Sequence, residues 1–304
     1  MRNKKFISIC KKSQSELKEY LFQFLKVNGY QPISGDGYLY AKGTNVPVML
    51  TAHMDTVHDE RVQQVIQCND ILSSPQGIGG DDRCGIFMIM RIIAKTDLRP
   101  SILFCEDEEI GGVGASKFTR ETVSFGLSSL KFIIELDRAN ANDAVFYECD
   151  NPEFTDWICK NGGFKEAYGS FSDICVLSPA SGVASVNLSC GYYKQHTKAE
   201  YVNVTEMYDV IHRVIGLLEK AQLEETPQFE FIEADYGWDY GLFSMGYRKA
   251  KSTFYGMEIS YFEMETGKEL EEWVSGRNEM ECFGTFFTMH PNICYNDILD
   301  YMLY

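Results

Sequence analysis

The chain has 304 residues, of which 45% are hydrophobic and 24% charged, an ordinary globular composition with enough apolar mass for a large core. Its formal net charge of −16 argues against a grip on nucleic acid or on an anionic membrane, since both need clustered Lys and Arg. The same acidity suits a protein that gathers carboxylates around cations. Along the chain, residues 13–27 are predicted helical, because Leu17, Leu21, Phe24 and Leu25 recur at helical spacing and Asn28-Gly29 supplies a stop. Residues 38–43 (YLYAKG) alternate as a strand does. Residues 46–53 (VPVMLTAH) are a short continuous apolar run, the pattern of a strand buried on both faces. Residues 84–95 are apolar almost all round and predict a largely buried helix. Two more buried strands are expected at 101–109 (SILFCEDEE) and 130–137 (LKFIIELD), each running into carboxylates. Further helices are expected at 114–122, 152–161 and 205–222, the last with Met207, Val210, Ile211, Val214, Leu217 and Leu218 on one face. Residues 183–188 form another apolar strand.

Composition shifts near Thr226, where aromatic and acidic residues take over. Residues 226–304 are expected to form a small accessory α+β module, with strands around Thr266-Gly267 and a helix over 278–289. For residues 1–225, strands alternating with helices predict an α/β fold: a mostly parallel central sheet with helices on both faces. Such sheets bind ligands at the carboxyl ends of their strands, where His53, the Glu108-Glu109 pair and Asp137 all fall. The ten cysteines include no CxxC pair and stand singly, as Cys84, Cys105 and Cys175 do. They are expected to be reduced and largely buried. With no signal-like apolar stretch after the basic N-terminus, a cytoplasmic location is predicted. No run reaches the roughly 18 apolar residues of a membrane span.

Five separated segments offer metal donors. They are His53 and Asp55 in LTAHMDTV, Asp81 and Asp82 in GIGGDDRCG, Glu108 and Glu109 in EDEEIGGVGA, Asp137 in FIIELDR, and His196 in GYYKQHTKAEYV. Each has a bland reading when taken alone, as a core histidine or a solvated acid. Glycine punctuation changes the balance. Gly79-Gly80 precede the first acid pair, and Gly111, Gly112 and Gly114 follow the second, as crowded ligand loops require.

In this order HMDTV, GGDDRCG, DEEIGGVGA, ELD and the late His resemble the signature of the co-catalytic dizinc exopeptidases. That clan includes leucyl aminopeptidases, peptidase T, glutamyl aminopeptidases and glutamate-releasing carboxypeptidases. The likeness spans roughly residues 45–200. It implies two Zn2+ ions, one on His53 and Asp137, the other on Glu109 and His196, with Asp81 bridging. Nitrogen and oxygen donors without sulfur would also accept Co2+ or Mn2+. Glu108 then falls to the general base, and Asp55 to the partner that fixes the His53 tautomer. Asp82 is expected to support the Asp81 loop, and the Asp81-Asp82 peptide bond to be cis.

Arg138, Asp173 in GSFSDI, Tyr192 and Tyr193 are candidates for the substrate pocket, with Arg138 also suited to neutralising nearby acids. Glu135 is expected to point away from Asp137's neighbours, and His58, His212 and His290 to lie outside the metal site. The resemblance implies a zinc-dependent metallopeptidase that cleaves small peptides from one end. The alternatives are an amidase or deacylase of N-acyl amino acids, or a non-catalytic binding protein that keeps the fold. Only 28 positions separate His53 from Asp81, and 59 separate Asp137 from His196, too few for the lid domain many members insert. Carboxypeptidase members use that lid to recognise a substrate carboxylate, so its loss favours an aminopeptidase. Side-chain preference and oligomeric state stay open.

Overall fold

The structure, a computed structural model, describes residues 3–121 and 125–234. The chain divides into two compact units, Met1–Ala234 and Asp235–Tyr304. The second unit lies outside the described residues, and with it the strands expected around Thr266-Gly267 and the helix over 278–289. The first unit extends past the expected boundary at 225/226. Phe229 is buried, its N–H bonds the Lys131 carbonyl, and its own carbonyl accepts from the Ala184 N–H.

Twelve strands form among the described residues: β1 (Ile33–Gly35), β2 (Tyr38–Ala41), β3 (Val48–His53), β4 (Ile66–Cys68), β5 (Ile71–Ser73), β6 (Ser101–Cys105), β7 (Phe132–Arg138), β8 (Asp143–Val145), β9 (Lys165–Ala167), β10 (Ser185–Ser189), β11 (Tyr192–Tyr193) and β12 (Tyr201–Asn203). The main sheet has eight, in the order β1-β2-β6-β3-β7-β10-β8-β9. Its centre, β6-β3-β7-β10, is parallel throughout, while β2 and β8 pair with it antiparallel. A second sheet of four short strands runs β11-β12-β5-β4, all antiparallel.

The helices are α1 (Lys4–Cys10), α2 (Gln14–Val27), α3 (Gly80–Lys95), α4 (Val113–Phe118), α5 (Pro152–Gly162), α6 (Ile174–Ser181) and α7 (Val204–Ala221). Local chemistry sets their ends. Ser13 and Glu16 make a reciprocal capping box on α2, and Asn151 caps α5 with Pro152 in its first turn. No helix among the described residues is long and apolar enough to cross a membrane.

Helices cover both faces of the main sheet, as the alternation predicts. On one face Val48, Leu50 and Ala52 of β3 pack with α2, α3, α5 and α7. On the other, Met49, Leu103 and Ile133 meet Ala115 and Phe118 of α4 and Ile174 and Leu177 of α6. Burying one such Leu or Ile side chain contributes about 1.5–3 kcal/mol, so this two-sided core carries the fold. The period-2 alternation that sends Met49 to the second face sends Thr51 and His53 there too. At the strand ends hydrophobic residues give way to polar ones. Because the four central strands run parallel, those ends share one edge.

Candidate metal centre

His53 is the last residue of β3, pairs in register with Cys105 of β6, and is fully buried. Its Nε2 lies 2.9 Å from Asp81 Oδ1 and 3.3 Å from Asp137 Oδ1. The other Asp81 oxygen, Oδ2, lies 3.2 Å from His196 Nε2, which is itself 3.2 Å from Glu109 Oε2. A single carboxylate thus faces a histidine–carboxylate pair on each of its oxygens. The structure brings together all five residues singled out as donors. Glu109 Oε1 is buried with no hydrogen-bond partner, an orphaned acceptor inside a cluster of nitrogen and oxygen donors. A group left so costs free energy unless a cation satisfies it, and this donor set fits divalent cations of the zinc, cobalt or manganese type.

The site is built from loops that glycine permits. Gly79 adopts a left-handed φ of 63° just before α3, whose first turn carries Asp81 and Asp82 at non-helical angles. The Asp81-Asp82 peptide bond is cis, as expected. The donor atoms of His53, Asp82 and Asp137 also lie within 4.8 Å of one another. Asp82, however, has both oxygens engaged by backbone: Oδ2 accepts from the His53 N–H at 3.2 Å and Oδ1 from the Gly85 N–H at 2.8 Å. It ties the end of β3 to the start of α3, which is the supporting place expected for it. A Cβ on Gly85 would meet the Leu136 carbonyl oxygen at 1.8 Å, so only glycine lets α3 rest on the β7 backbone here.

Around the donors stands a layer of residues that hold them. Asp55 Oδ1 lies 3.2 Å from His53 Nδ1, and its two oxygens accept the Glu108 and Glu109 N–H groups at 3.1 and 3.0 Å. One carboxylate therefore orients the histidine and anchors the loop of the glutamate pair. Tyr192 is buried and donates its hydroxyl to the Asp137 carbonyl at 3.0 Å and to Asp137 Oδ1 at 3.3 Å. This hydroxyl therefore grips one of the candidate donors. Asn187 bonds both the N–H and the carbonyl of Asp137, at 2.9 and 3.3 Å. Ser172 donates to Asp137 Oδ2 at 3.2 Å and also bonds Glu135. Glu135, expected to point away from Asp137's neighbours, instead shares Ser172 with it. Residues two apart on a strand share a face, and the Ser172 loop lies across both.

The remaining candidates fall elsewhere. Arg138 faces Asp143 at 3.8 Å, in keeping with a neutralising role. Tyr193 stacks on Tyr201 and donates its hydroxyl to Glu206, which engages it in the small sheet. Asp173 is fully buried beneath the site, beside the Cys105 thiol. His58 bonds Glu200 at 2.9 Å, His212 is exposed on α7, and His290 lies outside the described residues. Asn187 and Glu200 are not among the sequence candidates, and Ser172 enters only as part of the GSFSDI segment. Nothing local marks Asn187 or Glu200, since each acts on a donor far away in the chain or on its backbone.

Burial and crowding set the proton affinities. Burial raises Glu108 well above the usual carboxylate range, with Asp137 and Asp173 adding to it and His53 opposing. Its Oε2 stands 4.0 Å from His53 Nε2. Burial, then the nearby Asp81, push Asp137 up to about 7. For Asp81 burial is outweighed by the bonds from His196 and His53, and its carboxyl stays below the usual range. Burial resists charging of His53, yet Asp137, Asp55 and Asp81 together raise it well above the ordinary value. His196 is pushed up to about 11 by its bonds to Asp81 and Glu109. A cation bound here would compete with protons for the same oxygen and nitrogen atoms.

Fold and site together define an α/β protein with a polar donor cluster at the carboxyl edge of its sheet, the architecture that the order of the donor segments anticipated. It is the fold of solved exopeptidases. An aminopeptidase PepT from Bacillus cereus ATCC 10987 superposes with a TM-score of 0.60 at 15% identity, covering 72% of this chain and 97% of that one. A tripeptidase from Staphylococcus aureus subsp. aureus Mu50 gives 0.59 at 14% identity, covering 71% and 96%. An aminopeptidase from the archaeon Desulfurococcus kamchatkensis gives 0.56 at 13%, covering 72% and 96%. At these identities the likeness is one of fold. No protein-family model matches the sequence, and no curated protein matches it either.

Proposed function

We propose that this chain is a dizinc aminopeptidase acting on small peptides. The observation that carries the reading is Asp81, whose two oxygens face His53 with Asp137 on one side and His196 with Glu109 on the other. His53 and Asp137 would hold one ion, His196 and Glu109 the other, and Asp81 both. When bound, the ions would supply an acidified water and draw electron density from the scissile carbonyl.

The chain's own residues do the rest. Glu108 takes the proton from the attacking water and passes it to the leaving amine. The rise in its proton affinity on burial suits a group that must both accept and donate near neutrality. Asp55 fixes the His53 ring and the Glu108 backbone together, so base and donor keep one relative position. Between β7 and His196 the chain spends its residues on α5, α6, β8, β9, β10 and β11, and between His53 and Asp81 only on the short β4–β5 hairpin. No segment is left over to form the inserted lid on which carboxylate recognition relies, which favours recognition of a free amine. The fold shared with an aminopeptidase and a tripeptidase supports a peptide substrate. The eight cysteines among the described residues are all free, which suits a reducing cytoplasm.

Hydrolysis of aminoacyl-anilides, lost on chelation and restored by zinc, tests this reading. Hydrolysis confined to N-acetyl amino acids would point instead to a deacylase, and no hydrolysis with zinc loaded would point to a binding protein. Glu108→Gln is expected to keep its metal while kcat falls by roughly 10²–10⁴-fold. Full activity in that variant would remove Glu108 as the base.

A further inference from the structure

Glu200 is fully buried, four residues after His196 and immediately before β12. Its carboxylate accepts three hydrogen bonds. Oε2 takes the Gly79 N–H at 2.8 Å and His58 Nε2 at 2.9 Å, and Oε1 takes the Asp81 N–H at 3.0 Å. Two of these donors flank Gly80 in the loop that presents Asp81. A Cβ on Gly80 would meet Tyr192 Cβ at 2.7 Å and Glu200 Oε1 at 3.3 Å, so glycine lets the loop close onto the carboxylate.

The same residue reaches three donor-bearing segments. Through the chain it continues from His196, whose left-handed φ of 60° and half-exposed side chain leave it few anchors of its own. Through Gly79 and Asp81 it grips the start of α3. Through His58 it holds the loop that leaves His53 and Asp55, and the His58 ring occupies the space where a Cβ on Gly77 would fall, 2.3 Å away. β12 pairs with β5 next door, Val202 opposite Leu72, so the small sheet closes this frame.

We propose that Glu200 is a positioning residue for Asp81, fixing the backbone on both sides of Gly80 so that the two donor sets are built as one unit. The inference rests on the metal-centre reading above. Glu200→Gln keeps the size of the side chain but turns an NH2 toward a backbone N–H, leaving a buried donor unpaired. Full-length protein stripped by chelator is titrated with Zn2+ against a chromophoric competitor, and its visible spectrum is recorded with Co2+. Glu200→Gln is expected to bind at least one ion about 10- to 100-fold more weakly and to change the cobalt spectrum. His58→Gln, which keeps both backbone bonds, is expected to lose less in the same direction. Lys198→Ala, on the exposed part of the same loop, is expected to match wild type.

Glu200→Gln that binds two zinc ions with wild-type affinity and an unchanged cobalt spectrum overturns the proposal, whatever its melting temperature. Where Glu200→Gln does not fold, Glu200→Asp, which keeps the charge but draws the carboxylate back from both N–H groups, decides, and unchanged affinity and spectrum there overturn it. A wild-type protein that takes up neither zinc nor cobalt overturns the metal-centre reading itself, and this inference with it.

Discussion

The proposed donors are held mainly by hydrogen bonds rather than by packing, and the holders have measurable consequences. Tyr192→Phe removes one hydroxyl that bonds the Asp137 carbonyl and its Oδ1. Its ring stays in the core, so the fold should persist while zinc affinity falls about 10-fold, read by the same competition titration. Unchanged affinity would make the hydroxyl a spectator. At this scale the sequence is informative about the proposed donors and about Asp55 and Asp82, and silent about their other holders. His53, Glu109 and Asp137 stand at or just past the ends of apolar runs, and Asp81 and Glu109 have glycines beside them, so local pattern exposes them. Asn187 meets Asp137 across 50 positions and Glu200 meets Asp81 across 119, distances at which local pattern carries no signal. For the same reason the sequence does not give the partners of Tyr192, Tyr193 and Asp173. A tyrosine near His196 or an acid in a small-residue loop does not by its sequence say which way it faces.

Among the elements, the long ones with a strong period were legible. The helix expected over 205–222 appears as Val204–Ala221, with all six of its anticipated apolar residues buried. The strand expected over 46–53 appears as Val48–His53. The helix expected over 114–122 is shorter, ending at Phe118 and continuing as a 3-10 turn to Glu121. The small sheet and α1 were not anticipated. Strands of two or three residues have no room to show alternation, and their pairing is set by partners far along the chain. α6 carries an internal Pro179, which masks it as a helix. The contact of α3 with β7 is the element-level feature most open to test. Gly85→Ala forces a methyl onto the Leu136 carbonyl and against Asp82. The cost is expected to be about 1–3 kcal/mol or more in urea unfolding, with zinc affinity falling too because Asp82 and Asp81 sit on the displaced turn. A stability loss with wild-type metal binding would show that the turn moves independently of the helix.

Taken whole, the unit should depend on pH in a way that cations correct. Burial raises Asp137 to about 7 and Asp173 to about 6, whereas the same groups in the unfolded chain titrate near 4. Between those values the folded state binds more protons than the unfolded one, so metal-free stability falls as pH rises through that window. His196, raised to about 11, adds a contribution that is full below its unfolded value and fades as pH climbs toward 11. Cations that take over these sites remove the penalty of the ionised acids and bind better as the donors lose protons. Chelation should therefore lower Tm more at pH 8 than at pH 5, as circular dichroism melts would show. A larger drop at pH 5 would contradict the assignment of these carboxyls to a cation site.

The place of His196 has a consequence for how the site comes into being. During synthesis the donors emerge in the order His53, Asp81, Glu109, Asp137, His196, and the central strands β3, β6 and β7 are complete once Arg138 has appeared. His53 and Asp137 have then both appeared, but Ser172, Asn187 and Tyr192, which hold Asp137, have not. The other side of Asp81 waits for His196, and the clamp on its loop waits for Glu200. On the proposed reading, both sides of the centre are therefore finished by the stretch 172–200, whichever side of Asp81 an ion would occupy.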